Sequence, residues 1–207
     1  MTCRWFQSFF IVGLLGIALG SHAQKLTPLH TFFQRNYDST IIYQSGVRER
    51  DGPAYRILAK HQKQLYFFTY QSPYHDARGR YFPGNLLRHF ARQEAAFRAA
   101  VPDTNRYLLP ATVLPDTLRH HWQRLRPWQL WHLKGDGPGE PAGRTCVIDD
   151  GDHNTFYLID RRGIRPASFY APAYWEECLG PDPNRQRALM LIKVFGAISR
   201  ANQQRQQ

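Results

Sequence analysis

The segment Asp149 to Asn154, DDGDHN, gathers three carboxylates, an imidazole and a glycine, the side chains that a calcium loop or a metal-activated water would use. The spacing fits neither. An EF-hand loop takes a glycine at its sixth position and a bidentate Glu at its twelfth. Counted from Asp149 or Asp150, those positions hold Asn154 or Thr155, and Asp160 or Arg161. A tetrahedral zinc site needs a further His or Cys at helical or knuckle spacing, which the segment lacks. No metal and no cofactor is predicted. Asp, Gly and Asn are what a hairpin turn selects, so the segment is read as a turn, with His153 the residue that this reading leaves unexplained.

An imidazole beside a carboxylate suits general-base chemistry, and two places offer the pair: Asp150, Asp152 and His153, or His75 and Asp76. An exported hydrolase built on one of them is the alternative functional reading. The nucleophile elbow G-x-S-x-G is absent, as are G-x-G-x-x-G and G-x-x-x-x-G-K-[ST], so neither a dinucleotide nor a nucleoside triphosphate is implied. His120 and His121 are adjacent on a predicted helix. They therefore point about 100° apart and cannot chelate one ion from that helix alone.

Charge carries more information. The 207 residues hold 27 Lys and Arg against 16 Asp and Glu, a formal net charge of +11, and most of the cations are Arg. Arg161, Arg162, Arg165, Arg185 and Arg187 fall in or near a predicted turn and the start of the last predicted helix. Cations at a helix N-terminus oppose its partial positive charge, and a bound anion reverses the sign, because free N–H groups and guanidinium forks together receive carboxylate or phosphate. The leading reading is a basic domain that binds an anionic envelope polymer or an acidic protein surface. Nucleic acid fits the charge but not the secretory address described next, and is not the predicted partner. Aromatic residues are 14% of the chain. Trp122 has core spacing on a helix, whereas Tyr170, Tyr174 and Trp175, in FYAPAYWEEC, are candidates for stacking on sugar rings. Packing against a disulfide is the other fate open to Trp175.

Residues 1–23 have the layout of a cleaved secretory signal. Arg4 supplies positive charge, Phe9 to Gly20 is a short apolar run, and Ser21-His22-Ala23 presents small residues before Gln24. The run is short for a bilayer core of ~30 Å, which takes about twenty residues, so no transmembrane segment is predicted after cleavage. No Cys follows Ala23, so lipid attachment there is not predicted. The mature chain then keeps two cysteines, Cys146 and Cys178, and an oxidising compartment predicts a bridge between them. Glu176 and Glu177 beside Cys178 would raise a thiol's pKa, which argues against a nucleophile.

These residues must be positioned by elements that periodicity reveals. Thr40 to Gln44 reads as a strand, and Ala54 to Lys60 with Leu65 to Gln71 as a hairpin. Helices are predicted from Asn85 to Ala100 and from Pro115 through Leu125, the second burying Leu118, Trp122 and Leu125. Trp128 to Leu133 reads as a strand, and Gly135 to Gly143 as a Gly- and Pro-rich loop. Thr145 to Asp149 and Thr155 to Asp160 read as a hairpin, followed by a strand from Ile164 to Tyr170. Asp182 and Pro183 open a last helix that buries Ala188, Leu191, Ile192, Phe195 and Ile198. Strands and helices come in blocks, which predicts an α+β fold with a mainly antiparallel sheet, two hairpin regions and about three helices. The domain spans residues 24–200, and the polar residues 201–207 are predicted to fray.

Overall fold

Alternating side chains set up the sheet. In β2 (Ala54–His61), Tyr55, Ile57 and Ala59 point to one side and Arg56 and Leu58 to the other, and both sides are apolar in the middle of the strand. A strand of that kind needs cover on both faces. A computed structural model of the chain describes residues 26–46, 54–71, 84–99, 107–136 and 146–205. The leader, the His75 and Asp76 pair, and residues 137–143 of the Gly- and Pro-rich loop lie outside the described residues.

Among the described residues, six antiparallel strands form one sheet in the order β4-β3-β2-β1-β5-β6. They are β1 (Ser39–Gly46), β2, β3 (Gln64–Gln71), β4 (Leu108–Pro110), β5 (His153–Asp160) and β6 (Gly163–Tyr170). On one face Ile41, Leu58, Phe67, Phe156 and Phe169 pack under Leu118 and Leu125 of α3 (Pro115–Leu125), Leu130 of α4 (Pro127–Leu130), and Leu191, Phe195 and Ile198 of α6 (Pro183–Gln204). On the other, Ile42, Ile57, Tyr157 and Ile159 pack under Leu29 and Phe33 of α1 (Pro28–Asn36). The remaining helices are α2 (Gly84–Ala99) and α5 (Pro172–Leu179). Among the described residues, no helix is long and apolar enough to cross a membrane.

The fold is thus the predicted α+β domain, with six helices among the described residues. Five of them begin with proline in the first turn, where the missing N–H has no partner to lose. The start of α6 is the most completely built: Asp182 Oδ1 accepts from the backbone N–H groups of Asn184 and Arg185, both at 2.9 Å. Asp182→Ala is expected to cost about 1 kcal/mol, read as a lower urea midpoint at unchanged slope. An unchanged midpoint would place the cap elsewhere.

Three expectations are corrected. Trp128 to Leu133 is no strand: Arg126 takes a left-handed backbone (φ 46°) and Pro127 restarts the chain as α4, so Leu130 and Leu133 reach the core at helical spacing. Residues 146–149 form no strand either. Their carbonyls bond to side chains, Val147 O accepting from Tyr174 Oη at 2.8 Å and Ile148 O from Tyr170 Oη at 3.2 Å. The hairpin of this region is instead β5 with β6, turning at Arg161 and Arg162. Finally, α6 continues to Gln204 because Asn202, 8% exposed, accepts from the Thr112 backbone N–H at 2.9 Å.

Both borders of the sheet are occupied or short. Beyond β6, the Asp136 N–H donates to Ser168 O at 2.8 Å and its carboxylate accepts from the Tyr170 N–H at 2.9 Å. Pro166, on the same alternation, has no N–H to offer. The approach is so close that a Cβ on Gly135 would stand 2.5 Å from the Ser168 backbone. The other border, β4, is three residues long and ends in Pro110.

Candidate anion-binding site

The DDGDHN segment separates in the structure into two unrelated contacts. The Asp152 carboxylate accepts from Asn154 Nδ2 at 2.6 Å, and Asn154 Oδ1 accepts from the Tyr43 hydroxyl at 2.7 Å. His153, the neighbour of Asn154 on β5, points to the opposite face, where its ring lies 4.8 Å from that of Tyr170. Imidazole and carboxylate are therefore turned away from each other. Gly151 is required here, since a Cβ would meet Tyr170 and Ala171 at 2.7 Å. Asp149 and Asp150 are exposed. Among the described residues, no group of three or more His, Cys, Asp or Glu converges to hold a metal ion.

Tyr170, Tyr174 and Trp175 serve the architecture around the bridge. Cys146 and Cys178 are joined, and Trp175, fully buried on α5, packs with Cys146 and Ala171. The Tyr170 hydroxyl also accepts from the Gly151 N–H at 2.9 Å. Trp122 is partly buried against the core of α3 and α6. His121 is half-buried, and burial, helped by the charge of His120, lowers its pKa.

The five arginines occupy different settings. Arg161 and Arg162 sit at the β5–β6 turn, and Arg161 pairs with Asp38 at 2.7 Å. Asp38 also accepts from the Gln62 N–H, and this bond with the Arg161 charge holds its carboxyl below the usual range. Arg185 lies beyond the opposite end of β6, about 25 Å along a strand of eight residues. Its side chain is only 12% exposed, pairs with Glu176 at 3.4 Å and donates to Gly180 O at 2.9 Å. The contacts of Arg185 are thus internal. Arg187 is half-buried on α6, and Arg165 is exposed and donates to the Trp131 carbonyl.

Arg165 thereby lies against a surface with a distinct composition. From Arg119 to Lys134 the chain has no Asp or Glu. Leu125, Leu130 and Leu133 anchor it to the core, while Arg124, Arg126, His132 and Lys134 are exposed. Trp128 is 66% exposed, a large value for an indole. Cations and an exposed aromatic ring on one short segment can bind anionic groups and stack on ring faces together.

A second feature lies at the ends of β1, β2 and β3. The apolar row Ile41, Leu58 and Phe67 is followed on the same face by Tyr43, Arg56 and Thr69, and then by Ser45, Ala54 and Gln71. These two rows line a cavity of about 330 Å³, together with Tyr55, Tyr70, Tyr107 and Leu109. The Tyr43 ring is fixed by stacking on Phe156 at 5.0 Å and by contact with Phe195 at 5.4 Å. The Arg56 guanidinium lies 5.8 Å over that ring. Burial raises the Tyr43 pKa, which keeps the phenol protonated as the donor to Asn154.

Comparison with protein-family models, with curated proteins and with solved structures finds no match for this chain.

Neither Arg56 nor the α3–α4 surface was singled out by the sequence. Arg56 and Lys60 share one side of β2 by alternation, and Leu58 between them is fully buried. An Arg flanking a fully buried Leu on one strand face was the available signal. For Trp128, the signal was the proline before it, which turns a supposed strand into an exposed helix start.

Proposed function

We propose that this chain is an exported binding domain that recognises an anionic polymer of the cell envelope through the exposed side of α3 and α4. The observation that carries this reading is the acid-free segment from Arg119 to Lys134, with Trp128 66% exposed among Arg124, Arg126 and Lys134. Arg165 extends it from β6. Export is supported by the leader-like residues 1–23 and by the Cys146 to Cys178 bridge, which belongs to oxidising compartments. A repeating polyanion suits the surface because each phosphate or carboxylate engages one guanidinium while sugar faces lie on the indole.

Retention on a sulfated polysaccharide matrix tests the reading. Arg124→Gln with Arg126→Gln is expected to move elution to lower salt and to flatten its salt dependence. Trp128→Ala, which leaves the charge unchanged, is expected to weaken retention as well. His153→Ala leaves it unaltered. Retention indifferent to the Arg and Trp changes overturns the proposal, and capture by a folded acidic protein in place of the polysaccharide assigns the surface to a protein partner instead.

A further inference from the structure

The cavity at the ends of β1, β2 and β3 is independent of the α3–α4 surface, and its chemistry is more specific. We propose that it is a binding site for a small hydroxylated monocarboxylate, of the size of one sugar acid, with Arg56 as the carboxylate receptor. A volume of about 330 Å³ falls at the lower end of small-molecule sites, which range over ~300 to 1,000 Å³.

Four observations converge on that ligand. First, Arg56 is the cation of the cavity, half-buried, and among the described residues it has no carboxylate partner. Its contact with the Tyr43 ring satisfies a face of the guanidinium and none of its five N–H donors. The edge of that fork is what a carboxylate engages through two parallel bonds.

Second, the nearby anion is already engaged. The charge of Asp152 is felt at Tyr43, but its carboxylate accepts from Asn154 Nδ2 at 2.6 Å, and Asn154 in turn accepts from the Tyr43 hydroxyl. The chain from Asp152 through Asn154 to Tyr43 fixes the ring on which Arg56 rests. This orders the guanidinium before a ligand arrives, which reduces the entropy lost on binding.

Third, the wall beside Arg56 is polar where a carboxylate alone would not need it. Thr69 contributes a hydroxyl and Gln71 an amide, groups that donate and accept and so match ligand hydroxyls, next to Ser45, whose hydroxyl bonds to Tyr43. Fourth, the polarity begins abruptly. The preceding row on the same face, Ile41, Leu58 and Phe67, is almost fully buried beneath α6, so the switch to Tyr43, Arg56 and Thr69 marks where the core ends and the cavity starts.

Isothermal titration with D-glucuronate, D-glucose and acetate tests the proposal on the full chain. Glucuronate is expected to bind at least tenfold more tightly than either of the others, because glucose lacks the charge and acetate lacks the hydroxyls. Arg56→Gln is expected to weaken glucuronate binding at least tenfold and to leave retention on the sulfated matrix unchanged. Arg56→Lys should recover part of the loss, since an ammonium keeps the charge without the fork. Should Arg56→Gln fail to fold, Thr69→Val removes a hydroxyl at similar volume and is expected to reduce glucuronate binding but not acetate binding. Binding of trigalacturonate that is tighter than that of D-galacturonate and is lost in Arg56→Gln supports the site and identifies a chain end as the source, whereas equal, Arg56-dependent binding of the two supports it with a free sugar acid. Equal affinity for glucose and glucuronate, or glucuronate binding unaltered in Arg56→Gln, overturns the proposal, whatever becomes of the polymer surface.

Discussion

Replacing Cys146 and Cys178 together by serine is expected to lower the unfolding free energy by about 3 to 4 kcal/mol, the loop-closure contribution of a bridge between residues 32 apart. In the native state the bridge also fastens a stretch that lies outside the sheet. Residues 146–152 join no ladder, and they are fastened by the bridge, the hydroxyls of Tyr170 and Tyr174, and the Ala171 N–H donating to Asp152 O at 2.8 Å. Urea unfolding of the wild type and the double variant measures the difference. A loss under about 1 kcal/mol would show that the bridge constrains the unfolded chain far less than its loop length implies. Alkylation of both thiols in the native, unreduced protein would overturn the pairing itself.

The second large effect comes from pH. His30, on α1, is fully buried against Tyr157 at 4.1 Å and Tyr55 at 5.7 Å between ring centroids. Its Nδ1 accepts from the Thr27 backbone N–H at 3.0 Å, which puts the proton of the neutral ring on Nε2, a buried atom without a hydrogen-bond partner. Burial pushes the pKa from 6.5 down to about 4. Because the folded value lies below the unfolded one, the unfolded chain takes up the proton first as pH falls. The contribution of His30 is therefore fully present above about pH 6.5 and is lost progressively towards pH 4, by about 3 kcal/mol in all. His30→Phe, which cannot titrate, is expected to remove this part of the acid loss. Denaturant midpoints of both proteins at pH 7 and pH 4.5 check it. Equal losses in the two would mean that the native ring takes up a proton as readily as the unfolded one.

Some elements were legible because their signals are local. Asp182 with Pro183 announces α6, and Pro115 announces α3, since a cap and a preset φ act within one turn. Likewise β5 and β6 follow from alternation and a short turn. The same proline signal stands at Pro127 and Pro172, where α4 and α5 begin. Both helices follow a residue in the left-handed region, Arg126 at φ 46° and Ala171 at φ 42°. Neither side chain favours that conformation, so the surrounding packing imposes it and composition does not display it. The strand predicted before Asp150 failed for a related reason: its hydrogen bonds go to tyrosine hydroxyls from distant α5 and β6. For the candidate sites, charge was legible and its placement was not. Five arginines near one another in sequence are divided by the length of β6, whereas Arg56 and Tyr43, from different strands, meet only through the register of β1 and β2.

The way Asp136 lies along β6 bears on how this protein can be joined to others. An antiparallel sheet ordinarily ends in a row of open amides and carbonyls, to which another chain can add itself as a further strand. Here Asp136 plugs two of those groups, Pro166 supplies no amide at a third position, and the opposite border is a three-residue strand ending in proline. Recognition by strand addition is thereby closed off along β6, and with it the self-templated stacking that turns concentrated β proteins into fibres. Along this border, contact with another chain is left to side chains, where chemistry discriminates and backbone pairing does not.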